Sequence, residues 1–291
     1  MLDIYDVCVI GSGPAGAFAA NSLAKNNKKV LLLEAGDFNL SSDVNDNFDI
    51  ENSNIKGSVD FGFSQQVGGS SNLWAGGLGE MNAIDIKGRS EFNFLSWPVS
   101  YGHLKNLYIR VKEIIGYDCV SNKPSKVGGI ELRQMMVMDK PYNTKTLLDN
   151  VKNLTLLQNH TVCNLNINHE NNSVESITAF NTKTLEKIDF KATEFIMAAG
   201  AVGNIRVLLN SLQKFKLIDP DFYNTIGAYF STHPKGYIGK IKFNKHFNKN
   251  NPLTSIYPNN TGFTRYYFGL EMTELKNENL LNHCHRIESI Y

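Results

Sequence analysis

Three glycines within six residues, placed directly after a short apolar run near the N-terminus, constrain this chain most. Val7-Cys8-Val9-Ile10 leads into Gly11-Ser12-Gly13-Pro14-Ala15-Gly16, and a small-residue helical pattern follows to Lys25. The order is strand, tight turn, helix. Gly11 permits the turn, Gly13 lets backbone approach a pyrophosphate, and Gly16 lets helix and strand pack closely. The N-terminus of such a helix offers N–H groups and partial positive charge to phosphates. A second apolar run, Val30-Leu31-Leu32-Leu33, ends in Glu34, 23 positions after Gly11. A carboxylate at that strand tip can accept hydrogen bonds from both hydroxyls of an adenosine ribose, and it repels a 2'-phosphate. A chance glycine loop on an ordinary βα turn is the competing explanation. The complete order of strand, glycines, helix, strand and acid argues against it.

Composition narrows the classes. The chain has 291 residues, room for one large or two modest domains. Its 29 Lys plus Arg nearly balance 28 Asp plus Glu, for a net charge of +1. No strong field exists to gather nucleic acid or an anionic membrane. The Lys-rich stretch 240–249 is interleaved with Asn and Phe and reads as a solvated surface. No apolar run approaches the ~18 residues that span a bilayer. Asp3 and Asp6 stand where a signal peptide would be basic. Cys8, Cys119, Cys163 and Cys284 show no C-x-x-C spacing, so a disulfide framework is not expected and a reducing, cytoplasmic setting is.

Farther along, residues 37–60 read as a surface excursion rich in Asn, Asp and Ser. A second glycine-rich element follows, Val67-Gly68-Gly69-Ser70-Ser71-Asn72-Leu73-Trp74-Ala75-Gly76-Gly77. Leu104, Leu107, Tyr108, Val111, Ile114 and Ile115 recur at helical spacing, with Gly116 as a stop. Residues 117–144 look irregular, and 146–152 looks like a short helix. Strands are expected at 154–157 and 161–167, and a hairpin from 174–180 and 185–190 around the turn 181–184. A buried strand at 193–198 should end at Ala199-Gly200, with a helix at 202–212. From 233 onward, aromatic and β-branched residues mixed with Asn, Pro and Gly suggest antiparallel strands.

These blocks together resemble the glucose–methanol–choline family of FAD-dependent oxidoreductases, nearest its pyranose oxidase and bacterial sugar dehydrogenase branch. Four blocks carry the resemblance. They are the first glycine loop with Leu32-Leu33-Glu34-Ala35-Gly36, the element at 67–77, Ser96-Trp97-Pro98-Val99-Ser100-Tyr101, and the run from Ala199 to Ser211 followed by 227–234. The family likeness implies an α/β protein: a Rossmann-like FAD-binding domain with a parallel sheet, and a mostly antiparallel substrate domain, here incomplete. The first is expected from 1–90 and 145–232, the second from 91–144 and 233–291. The likeness implies that Gly11, Ser12, Gly13, Pro14, Ala15, Gly16, Glu34 and Ala35 hold the adenosine and pyrophosphate. It also implies that Gly68, Gly69, Ser70 and Ser71 cradle the flavin and that Asn72, Leu73 and Trp74 lie near its ring. Val162 would face the adenine, with Ala199 and Gly200 near phosphate and ribose.

Departures from the family pattern shape the expectation. Leu73 stands where several relatives carry the His that attaches flavin covalently, so FAD is expected to bind non-covalently. Thr232-His233-Pro234 replaces a more usual Asp-His-Pro. The proton-abstracting His of the family lies near the end of the full-length chain, so the resemblance implies truncation at Tyr291 and leaves no catalytic residue assigned. His283 and His285 would share one face of a strand, with Cys284 on the other, and no third ligand of suitable spacing makes them a metal site. The implied activity is oxidation of the CH–OH group of a small alcohol or sugar, with the electron acceptor undetermined. An inactive FAD-binding remnant, or another flavoprotein or NAD-dependent enzyme sharing only the first βαβ unit, are the alternatives.

Overall fold

The computed structural model describes residues 4–40, 63–92, 94–116, 125–127, 129–168, 170–171, 173–215, 220–228, 230, 239–240, 242, 256–259, 261–278, 280 and 285. His233, His283, Cys119 and Cys284 lie outside them, as does most of the Lys-rich stretch. The chain divides into two compact units, 1–73 with 143–236, and 74–142 with 237–291.

The first unit is built on a parallel sheet. Strand β1 (Tyr5–Ile10) runs into helix α1 (Pro14–Lys25) and then β2 (Val30–Leu33). Two later strands, Leu154–Leu157 and Ala192–Met197, flank this pair, the first against β2 and the second against β1. The three apolar runs read from the sequence therefore lie in one sheet. Strand side chains alternate between faces, so a strand buried on both sides must be apolar throughout. Val7, Val9, Val30 and Leu32 pack on one face against Ala20 and Ala24 of α1. Cys8, Ile10, Leu31 and Leu33 pack on the other against Val162, Leu165, Ile177 and Ala179. These last four belong to a second, antiparallel layer. It is a meander of 160–168, 173–181 and 187–190, so the expected hairpin gains a third strand. A helix over Gly200–Phe215 contributes Val207 to the same core. Its Ser211 hydroxyl donates to Val207 O (2.6 Å) and accepts from Leu165 N (2.8 Å), next to a break in strand register between Val162 and Asn164.

The second unit centres on β-strand Ile130–Met138, which pairs antiparallel with Gly262–Leu270 along its whole length. Short strands 256–259, 77–78 and 125–127 extend this sheet. By sequence alone, 117–144 looks irregular. Arg133-Gln134-Met135-Met136 is a run of helix formers, and its strand conformation is imposed by the partner strand, not by propensity. The pairing of Gly77 and Leu78 with Val137 and Met136 carries residues 74–90 into this unit, whereas the sequence placed them with the first. Helix α2 (Tyr101–Ile114) starts at Ser100, whose hydroxyl accepts from His103 N, and it ends before Gly116 at φ +69°. Among the described residues, no helix is long and apolar enough to cross a membrane.

Candidate functional site

The first glycine loop sits at the C-terminal end of β1, where open parallel sheets bind ligands. Its three glycines do different work. A Cβ on Gly11 would lie 2.6 Å from Ala198 O, and Gly11 has φ +97°, so the loop turns hard against the end of the neighbouring strand. A Cβ on Gly16 would fall 1.9 Å from Gly11 O, so only glycine lets α1 start this close to the turn. At Gly13, by contrast, a Cβ would meet only Gly69 Cα, at 3.9 Å. Pro14 and Ala15 are exposed at the first turn of α1. Proline suits that position because its missing N–H would be unpaired there in any case.

Gly69 brings in the second glycine element. A Cβ on it would lie 2.7 Å from Gly13 Cα, so the two glycine loops touch main chain to main chain. Gly68 N donates to Ser12 Oγ (3.3 Å) across the same junction. Polar side chains then pin the second loop from behind. Ser71 Oγ donates to Gly68 O (2.6 Å) and lies 3.0 Å from Thr144 Oγ1, while Thr144 N donates back to it (3.1 Å). Asn72 Nδ2 donates to Val67 O and Gly69 O, and Asn143 Nδ2 donates to Asn72 Oδ1 (2.8 Å). Ser71 and Asn72 are thus spent on shaping the loop. Ser70 and Leu73 are exposed, Leu73 at 52%. Trp74 belongs to the second unit, where its Nε1 donates to Tyr142 O (3.0 Å) and its ring packs with Met136 and Met138.

Glu34 closes the site at the tip of β2. It is buried, at 6% exposure. Its Oε2 accepts from Ser12 N (2.9 Å) and Ser12 Oγ (2.6 Å), and its Oε1 accepts from Gly36 N (3.0 Å). The N–H of Ser12 is therefore engaged by Glu34 and not free for phosphate. Beyond Ala35, Asp37 accepts from Lys183 Nζ (2.8 Å), Phe38 N (2.7 Å) and Asn159 Nδ2 (3.3 Å). The Lys183 hydrogen bond, followed by those from Phe38 and Asn159, lowers the Asp37 carboxyl to about 2.

Ala199 follows the strand Ala192–Met197 as a bend, and Gly200 opens the helix Gly200–Phe215. Ala199 N donates to Asn204 Oδ1 (2.9 Å), and a Cβ on Gly200, at φ +75°, would meet nothing within 4 Å. Val162 is 9% exposed, with its side chain in the core against Cys8 and Leu31. Only main chain is left at that position to meet an adenine. Asn143, Thr144 and Asn204 were missed by sequence reasoning. Asn143 and Thr144 lie more than 70 residues from the loop they pin, and nothing local marks them. Asn204 sat in plain view inside the fourth block, where its short amide side chain before a helix was the available signal. Among the described residues, no group of three or more His, Cys, Asp or Glu could hold a metal ion. His160 is tied to Gln158 O through Nδ1 (2.6 Å) and stands edge-on to Phe190. His285 pairs main chain to main chain with Phe268.

Comparison with known proteins gives three findings. Residues 9–64 match the NAD(P)-binding Rossmann-like domain family. Over 38 residues the chain is 60% identical to a Marinomonas mediterranea protein named "Putative FAD-dependent oxidoreductase LodB", a match covering 13% of this chain and 10% of that one. Among solved structures, pyridoxine 4-oxidase from Mesorbium loti aligns at TM-score 0.45 and 17% identity, over 71% of this chain and 52% of its own. A formate oxidase from Aspergillus oryzae aligns at TM-score 0.49 and 15% identity, over 72% of this chain and 48% of its own. The chain spans about half the length of these solved structures. The LodB match agrees with the resemblance to FAD-dependent oxidoreductases drawn from the sequence.

Proposed function

We propose that the chain is the FAD-binding part of a flavin-dependent oxidoreductase of the glucose–methanol–choline type, acting on the CH–OH group of a small alcohol or sugar. The observation that carries the reading is the contact between the two glycine loops, with Glu34 buried beside them. Gly13 and Gly69 meet where a dinucleotide pyrophosphate needs bare main chain, and the adjoining strand tip carries a carboxylate.

When bound, FAD supplies the hydride acceptor for the oxidation. The chain's own residues bind and orient. Main chain at Gly13, together with the start of α1, would meet the pyrophosphate, while Gly11 and Gly69, whose N–H groups donate to Leu33 O and Gln66 O, would shape the loops that let it approach. Glu34 would accept from the adenosine ribose, and main chain at Val162 would meet the adenine. Residues 68–72, held rigid by Asn143 and Thr144, would support the flavin end. Ala199 and Gly200 would flank the phosphates, with Gly200 open to a ligand. Nothing at Leu73 can bond covalently to a flavin, so FAD is held non-covalently. A rigid loop preset by its own hydrogen bonds loses little entropy on binding.

Titration of the purified chain with FAD, followed by flavin fluorescence, tests this, with NAD as the comparison ligand. Saturable binding of FAD and weak binding of NAD supports the proposal. Tight NAD binding without FAD binding overturns it in favour of a nicotinamide-dependent enzyme.

A further inference from the structure

The hydrogen bonds around Glu34 can be counted donor by donor. Ser12 is fully buried. Its Oγ receives the Gly68 N–H, so the hydroxyl's own proton is directed to Glu34 Oε2. The Ser12 N–H goes to the same oxygen, and the Gly36 N–H goes to Oε1. A carboxylate offers about four lone-pair positions. Three protein donors leave one, on Oε1. The sequence pattern alone suggests a carboxylate free to receive both ribose hydroxyls; the structure does not provide for that.

We propose that Ser12 is a positioning residue that makes Glu34 a one-hydroxyl acceptor: by saturating Oε2 it leaves the carboxylate able to bind only one of the two adenosine ribose hydroxyls. The inference rests on the FAD reading above. Ser12 also joins three pieces of the site. It belongs to the first glycine loop, grips the tip of β2 through Glu34, and receives the first N–H of the second glycine loop. Its replacement by alanine removes the hydroxyl from Oε2, opening a second acceptor position, and leaves Gly68 N without this partner.

The experiment compares FAD with two analogues, one lacking the 2'-hydroxyl and one the 3'-hydroxyl of the adenosine ribose. Each is titrated into the unaltered chain and into Ser12→Ala, with Tm recorded in parallel. In the unaltered chain, one analogue should bind roughly tenfold or more weaker than FAD, the scale of a hydrogen bond to a charged group, and the other should match FAD. In Ser12→Ala, the second analogue should also fall behind FAD. A purely structural Ser12 would lower Tm and leave the hydroxyl preference unchanged, and that result overturns the proposal. Equal weakening of both analogues in the unaltered chain, or weakening of neither, overturns it without recourse to the variant. Failure of the unaltered chain to bind FAD at all overturns the proposed function and this inference together, so the two failures are distinguishable.

Discussion

Replacing Gly13 and Gly16 separately by alanine distinguishes a glycine kept for a ligand from one kept for the fold. At Gly16 the added methyl lies 1.9 Å from Gly11 O and 3.2 Å from Ala198 Cβ, backbone and strand atoms that cannot swing aside. Forcing a methyl into packed surroundings costs about 1–3 kcal/mol, against a helix-propensity gain of at most ~1 kcal/mol from glycine to alanine. With main chain only 1.9 Å away, the cost falls at the upper end of that range, about 3 kcal/mol, so a net loss of about 2 kcal/mol is expected for Gly16→Ala, with Tm lower by about 4–8 °C at roughly 2–4 °C per kcal/mol. At Gly13 the backbone has φ −62° and ψ −178°, open to any residue, and the methyl meets only Gly69 Cα at 3.9 Å. Gly13→Ala should therefore leave Tm within about 2 °C, since substitutions that create no clash stay near ±0.5 kcal/mol. Its FAD affinity should nonetheless drop by about tenfold or more, equivalent to about 1.4 kcal/mol, because the methyl stands in the space assigned to the pyrophosphate. Differential scanning fluorimetry and flavin titration read the two quantities independently. A Tm for Gly13→Ala that falls as far as that of Gly16→Ala would refute the loop geometry. Unchanged FAD affinity would refute the phosphate assignment while leaving the fold argument intact.

Glu34→Gln keeps the shape of the side chain but removes the charge, and FAD affinity should fall by about 1.5–3 kcal/mol on the scale of a charged hydrogen bond; equal affinity by titration would contradict its ribose role. Burial pushes the Cys8 thiol up to about 12 from 9.0. The unfolded chain ionises this thiol above pH 9 and the folded one does not, so its contribution is intact below pH 9 and is lost between pH 9 and about 12. Urea titrations across that range should show a steeper alkaline loss for the unaltered chain than for Cys8→Val, and parallel curves would exclude the effect. Asp37, lowered to about 2 chiefly by the Lys183 hydrogen bond, works in the opposite sense. Its stabilising effect is present above its ordinary value of 3.8 and is lost as pH falls through about 2, so Lys183→Ala should flatten the acid side of a Tm-versus-pH profile. Asn143→Ala removes the amide that bonds Asn72 and should cost about 0.5–1.5 kcal/mol while weakening FAD binding; a stability change with no binding change would mean that the second glycine loop does not touch the ligand.

The division between what sequence and tertiary structure determine runs through particular residues. The parallel core was legible because its causes are local. An unbroken apolar run such as Val30 to Leu33 has to be buried on both faces, and Gly11 and Gly16 mark a turn into a helix by what they lack. The position of Glu34 at the tip of β2 was legible from its spacing, and the close approach of the second glycine element from its bare backbone. That the side chains of Ser71 and Asn72 hold their own loop to Asn143 and Thr144 was not legible, because those partners lie more than 70 residues away. The strand at 130–138 was hidden because its residues favour a helix in isolation and become a strand only when Gly262–Leu270 pairs along it. The same sheet drew residues 74–90 away from the unit to which their neighbours in sequence belong. How many acceptor positions Glu34 keeps open was likewise beyond the sequence. It depends on which oxygens Ser12 and Gly36 occupy, and hydrogen bonds between strand tip and loop exist only once the chain has brought them together.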